Sequence, residues 1–340
     1  MAEWQSGYAA DCNSVNIGSI PFSASSHMKI LITGAAGFIG FHLCKKLLSL
    51  GYNVTGIDNL NNYYDKNLKK LRLDNLHSKN FKFHNLDINS INKVNAEYNL
   101  VINLAAQAGV RVKKNEIANY KHSNRNGFEK VCQYCLKNSI TKLIYASSSA
   151  VYDDSSKKAF SEDKTPLKPK SIYGESKLFN ERFAQQFNDE LSTIGLRFFS
   201  VYGPFGRPDM AYFSFTNSIK NGQEIHLFNR GMMARDMTYI DDAIDGILKS
   251  IDFIIDKDHE NKNEIFNIGK GSPILTSKIL ETIEEKLNKK AFIRNIEVFN
   301  ESSYTHADLE KSKEVLRYNP KTSFDDGIIE FLEWHKYYEK

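Results

Sequence analysis

Long apolar runs are missing from this 340-residue chain. None approaches the roughly 18 residues that a membrane-spanning helix needs, so a membrane is not an expected partner. Cysteine is scarce: Cys12, Cys44, Cys132 and Cys135 show none of the spacings of a disulfide framework. That fits a reducing compartment, and the cytoplasm is the expected location. Cys132 and Cys135 have no second pair, so they read as inert thiols and no metal is expected. Charge of one sign is also lacking. The chain carries 45 Lys+Arg against 41 Asp+Glu, a net +4, and the basic residues are dispersed, which gives no reason to expect nucleic acid. What is present is ordinary globular composition, 41% hydrophobic, enough for a substantial core and one or two domains.

Residues 1–27 read differently. They are rich in Ser, Ala, Asn and Gly and lack the basic start and apolar stretch of a signal peptide. The expectation is a cloning-derived leader or a disordered tail outside the fold. From Met28 onward, Lys29–Thr33 is a short continuous apolar run, as in a strand buried on both faces. A helical pattern to about Leu50 follows, then a strand at residues 53–57 closing at Asp58. Further strands are expected at 81–84, 100–104, 142–146 and 195–199, with helical patterns at 116–138 and 172–191 between them. Alternation of this kind predicts an α/β fold with a doubly wound parallel sheet. The rhythm breaks after Ser200 at Pro204, Gly206 and Pro208. The division expected is 28–199 for a dinucleotide-binding domain and 200–340 for a smaller α/β lobe over the sheet's carboxyl edge.

Three motifs carry chemistry. Gly34, Gly37 and Gly40 follow a strand and open a helix, the setting in which spaced glycines bring backbone N–H groups to a pyrophosphate. Phe38 and Ile39 lie in that helix start. Asp58 ends the second strand, where a carboxylate accepts hydrogen bonds from an adenosine ribose, with Asn59 beside it. No Lys or Arg follows at once to meet a 2′-phosphate, so NAD is expected over NADP. Asp87 and Ile88 after the third strand are candidates for adenine. Finally, Tyr173 and Lys177 lie four apart, on one helix face, downstream of Ser147-Ser148-Ser149. An ammonium there lowers the pKa of a phenol, which then acts as a base with a serine sharing the proton. No Asp, Glu or His occurs from Ala146 to Tyr152, which argues against dehydration chemistry.

These residues make the chain resemble the extended short-chain dehydrogenase/reductase family, and within it the nucleotide-sugar epimerases. Residues 57–65 and 196–211 are similar to blocks of the members that act on UDP-glucuronate; 104–111, 235–242 and 266–269 are similar to blocks shared widely among sugar epimerases. The resemblance implies a Rossmann fold, bound NAD, a UDP-sugar substrate and a homodimer. It implies Tyr173 as base, Lys177 as its partner and Ser148 as the proton-sharing hydroxyl. Leu104, Ala105, Ala106, Ser147 and Asn124 would complete the cofactor side, Asn124 near the nicotinamide. Arg235 would hold the diphosphate, while Ser149, Ser200 and Arg207 would surround the sugar carboxylate, with Arg111 a further candidate and Glu301 a ribose contact. The chain departs from the family at Asp153 (usually Gly), Ala150 (usually Ser) and Ser200 (usually Thr). Competing readings are epimerisation of a neutral UDP-sugar and, from a different class, a non-catalytic NAD-binding scaffold.

Overall fold

The computed structural model describes residues 28–338 apart from 96, 112–115, 156–157, 188, 257–262 and 299–302. The leader at 1–27 and Glu301 lie outside the described residues. Seven strands form the main sheet: β1 (Lys29–Thr33), β2 (Asn53–Asp58), β3 (Phe81–Asn85), β4 (Leu100–Asn103), β5 (Lys142–Ser148), β6 (Ser192–Phe198) and β10 (Asn263–Ile268). They are all parallel, in the order β3-β2-β1-β4-β5-β6-β10. The doubly wound expectation is met. The order reverses between β1 and β4, and at such a switch point ligands bind outside the strands' carboxyl ends.

The apolar run of β1 serves two cores at once. Ile30 and Ile32 belong to one buried cluster and Leu31 to the other, as the period of two requires. The first cluster holds α1 (Phe38–Ser49) against the sheet. The second contains Cys132 and Cys135 on α4 (Gly127–Lys137). Burial pushes the Cys132 thiol up to about 12, so it stays protonated and unreactive. Between α1 and α4 come α2 (Lys66–Asp74) and α3 (Ile117–Tyr120).

Two boundaries differ from the sequence reading. The helix beginning at Ile172, α5 (Ile172–Ala184), stops seven residues short of Leu191, and β6 begins at Ser192, not at Gly195. Leu191, Ser192, Thr193 and Ile194 are all buried, which suits a strand covered on both faces. Gly195 lies inside the strand because a Cβ there would sit 2.7 Å from the Tyr145 ring. The pattern at 116–138 is helical but not uniform: α3 continues through a π-helical stretch, Lys121–Asn126, into α4. Such a bulge re-aims side chains.

Beyond Ser200 a second sheet forms from β7 (Ser200–Tyr202), β9 (Ala234–Tyr239) and β11 (Pro273–Leu275), and a third from β8 (Glu224–Phe228) and β12 (Phe292–Ile296). They are accompanied by α6 (Ala211–Asn221), α7 (Ile240–Ile255), α8 (Thr276–Leu287), α9 (Glu310–Leu316) and α10 (Phe324–Tyr338). The halves interlock. β10 pairs with β6, and α7 packs on α1 and β6. Arg72, fully buried, donates to Ala36 O, Phe205 O, Gly206 O and the Tyr64 hydroxyl, tying the glycine turn to the loop after β7.

Candidate active site

A cavity of about 1100 Å³ opens at the carboxyl ends of the strands, beneath the second half of the chain. It lies at the upper end of the roughly 300–1,000 Å³ of a small-molecule pocket. Its walls run from the glycine turn to β9.

The glycine turn is a cradle that a side chain would fill. Gly34 has φ +73° and a Cβ there would lie 2.8 Å from Ala105 N; at Gly40 it would lie 2.1 Å from Gly34 O. Gly37, the N-cap of α1, supplies no side-chain cap, which leaves the first N–H groups of the helix for a ligand. Phe38, Ile39 and Ala105–Ala106 line the same stretch, with Leu104 beside them. Asp58 follows as expected, accepting from Leu60 N at 2.9 Å and Ala36 N at 3.2 Å. Burial raises its pKa, against those N–H groups and the Lys69 ammonium. Lys69 reaches this corner from α2, but its ammonium is held by Asn61 O and Oδ1 at 2.9 and 2.8 Å. Sequence reasoning looked only at the residues immediately after Asp58 and missed it. At the far end Asn59 donates to Asp87, which also caps Asn89 N and meets His122 at 3.0 Å, while Ile88 forms a wall. These residues fit a dinucleotide: a cradle for phosphates, a carboxylate for a ribose, an apolar wall for a base.

Tyr173 enters on the first turn of α5, whose N-cap Ser171 accepts from Gly174 N. Gly174 lets the helix press onto the serine loop, since a Cβ would lie 2.3 Å from Ala150 O. Ser148 stands within reach of the Tyr173 phenol and lowers its pKa. Lys177 Nζ sits 5.8 Å from the Tyr173 ring centre and donates to Ala146 O at 2.8 Å. The three expected catalytic side chains therefore meet at the cavity. The electrostatics differ from the sequence reading. Burial raises the phenol's pKa, and the opposing charge comes from Arg207, with Ser148 contributing a hydrogen bond. Lys177 is instead turned back onto the end of β5.

Burial brings Lys177 down to about 8, with Glu181 opposing. The folded chain therefore holds this proton less tightly than the unfolded one, whose lysine is near 10.4. Between pH 8 and 10 unfolding takes up a proton here, so this group makes stability rise with pH across that window. Lys177→Met removes the contribution; denaturant melts at pH 7.5 and 9.5 on both proteins measure the difference.

Ser147 hydrogen-bonds to Glu181, which pairs with Arg197 at 2.9 and 2.8 Å; Arg197 donates to Tyr152 Oη, and Tyr152 to Asn267. All five are buried. Asn124, expected near the nicotinamide, is not among the cavity-wall residues. The π-helical stretch turns it onto Gln107, accepting from its N at 2.7 Å and donating to its O at 3.0 Å, and onto Ser176 Oγ at 2.9 Å. It braces the loop after β4 against α5.

Ser149, Ser200, Arg207, Arg235 and Arg111 line the other end of the cavity. Arg235, on β9, donates to Ala234 O, and Arg111 lies 4.1 Å over the Phe228 ring. Arg207 pairs with Asp209. An ion pair of Lys170 with buried Asp154 also borders the cavity. Sequence reasoning did not single out Asp209 or Asp154, although Asp209 stands two residues from Arg207 and Asp154 two past the serine loop.

Fold and site together define a dinucleotide-dependent enzyme with a serine–tyrosine–lysine centre. A model of the NAD dependent epimerase/dehydratase family matches residues 30–269, and the chain belongs to that family; NAD is its cofactor. UDP-glucuronate 4-epimerase 4 of Arabidopsis thaliana is 36% identical, over 93% of this chain and 77% of its own length. Protein CapI of Staphylococcus aureus is 37% identical, over 92% of this chain and all of its own. The crystal structure of UDP-glucuronic acid 4-epimerase from Bacillus cereus in complex with UDP-glucuronic acid and NAD superimposes with a TM-score of 0.84 at 32% identity, over 92% of this chain and 100% of that one. Among the described residues no helix is long and apolar enough to cross a membrane.

Proposed function

We propose that this protein interconverts UDP-glucuronate and UDP-galacturonate by epimerisation at C4. One observation carries the reading: Arg207 lines the same cavity as Ser148 and Tyr173, and its charge lowers the phenol's pKa against burial. A cation beside the reacting centre is what a sugar bearing a carboxylate calls for. NAD, when bound in the glycine cradle, would supply a reversible hydride acceptor. Tyr173 takes the C4 hydroxyl proton with Ser148 as the bridging hydroxyl and gives it back after the 4-keto sugar has turned over. Lys177 holds the end of β5 behind the phenol by donating to Ala146 O. Arg235 retains the diphosphate through the turn, a natural task for a guanidinium fork.

The 4-keto uronate is a β-keto acid, prone to lose CO₂. Ser149, Ser200 and Arg207 hold its carboxylate out of alignment for that loss. The resemblance also supports a homodimer through α3–α4 and α5, which pack side by side. Incubation with UDP-glucuronate, followed by NMR of the products, should show UDP-galacturonate and no pentose; absence of any turnover would defeat the reading. Epimerisation of UDP-glucose is the second reading, favoured by one fact: Asp209 already neutralises Arg207.

A further inference from the structure

The arginine at the sugar end of the cavity has its fork already filled. Arg207 donates from Nε to Asp209 Oδ1 at 3.0 Å and from Nη2 to Asp209 Oδ2, the two-pronged pairing that a guanidinium makes with a free carboxylate. Tyr63 donates its hydroxyl to the same Asp209 Oδ2 at 3.3 Å, and its ring centre lies 5.9 Å from Arg207 Cζ. Gly109, at φ +106°, passes so close that a Cβ would lie 2.6 Å from the Tyr63 hydroxyl. Tyr63 is therefore held by backbone on one side and Asp209 on the other. All four residues border the cavity.

We propose that Asp209 is an internal competitor for the substrate's carboxylate, occupying the Arg207 fork until the uronate displaces it. This inference rests on the uronate reading above. Asp209 fills the Nε–Nη2 edge of the guanidinium, the side-on edge that matches a carboxylate with two parallel bonds, and the entering uronate takes that edge over. Asp209 is the partner able to yield, its side chain 36% exposed against 21% for Arg207, and water solvates it when it swings out. Under a neutral sugar Asp209 stays in place, and Arg207 is not left unpaired to reject that ligand. Asp209 thus loosens uronate binding, speeds release of the product, and sets the margin between uronates and neutral sugars.

Titration calorimetry with UDP-glucuronate, UDP-glucose and UDP on the NAD-bound protein tests this, alongside kcat and KM for UDP-glucuronate. Asp209→Asn should bind UDP-glucuronate about tenfold more tightly, leave UDP unchanged, and lower both KM and kcat. Asp209→Glu, which restores a competing carboxylate, should return toward the parent values. Asp209→Ser, carrying neither carboxylate nor amide, should repeat the Asn result and stands in for it should the Asn variant melt early. Unchanged uronate affinity, or equal weakening for both sugars, overturns the proposal and leaves Asp209 as a loop brace. Parent protein without any turnover of UDP-glucuronate overturns the uronate reading itself, a result distinct from either of these.

Discussion

Tyr173→Phe should lower turnover by about 10³-fold, within the range lost when a general acid–base group is removed. The substitution deletes one oxygen and leaves the ring, so packing against Tyr120, whose ring centre is 6.4 Å away, is retained. NAD and UDP-sugar binding should survive, because neither the glycine cradle nor the arginines change. The size of the effect follows from the surroundings of the phenol. Burial raises its pKa, and Arg207 and Ser148 oppose that rise. Steady-state kinetics with calorimetry of nucleotide binding gives the result. A loss below tenfold would show that the proton leaves by another route.

The second large effect is on stability. Arg197→Met should destabilise the protein by about 3–5 kcal/mol, the usual consequence of removing one member of a buried ion pair. Glu181 and Arg197 side chains are each 4% exposed, so water cannot replace the lost partner. The damage extends in both directions: Glu181 loses both guanidinium bonds and keeps the Ser147 hydroxyl and the field of Lys177, and Tyr152 loses the donor to its hydroxyl. Urea unfolding of the parent, Arg197→Met and Glu181→Leu/Arg197→Met measures it. The double variant should recover much of the loss, since an apolar pair leaves no stranded charge. A single-variant cost below 1 kcal/mol would mean that the pair contributes little.

Both effects fall on residues of different legibility. Tyr173, Lys177 and Ser148 were readable because spacing on a helix and position after a strand are local properties, and Gly34, Gly37 and Gly40 for the same reason. The parallel, doubly wound character of the sheet followed from alternation of apolar runs and helical patterns, whereas the strand order, with β10 beside β6, came only from the fold. Glu181, Arg197 and Tyr152 were not readable. Each looks ordinary in sequence, and only the packing of α5 against β6 brings the first two within hydrogen-bonding distance. Asn124 bonds Gln107 and Ser176 and does not itself line the cavity, a placement set within a π-helical stretch that no periodicity reveals. The phenol's raised pKa escaped for a related reason. Spacing puts Lys177 on the same face, but the Ala146 carbonyl, supplied by a different strand, claims its ammonium. Arg207 arrives from beyond β7, thirty-four residues further along.

β10 comes from Asn263–Ile268, far along the chain, yet it lies beside β6 at the margin of the principal sheet. Severing the polypeptide near residue 200 would strip β6 of that neighbour and bare a row of N–H and C=O groups along its length. Such an open margin recruits other chains. The amino-terminal portion, expressed by itself, should therefore precipitate or require co-production with its complement.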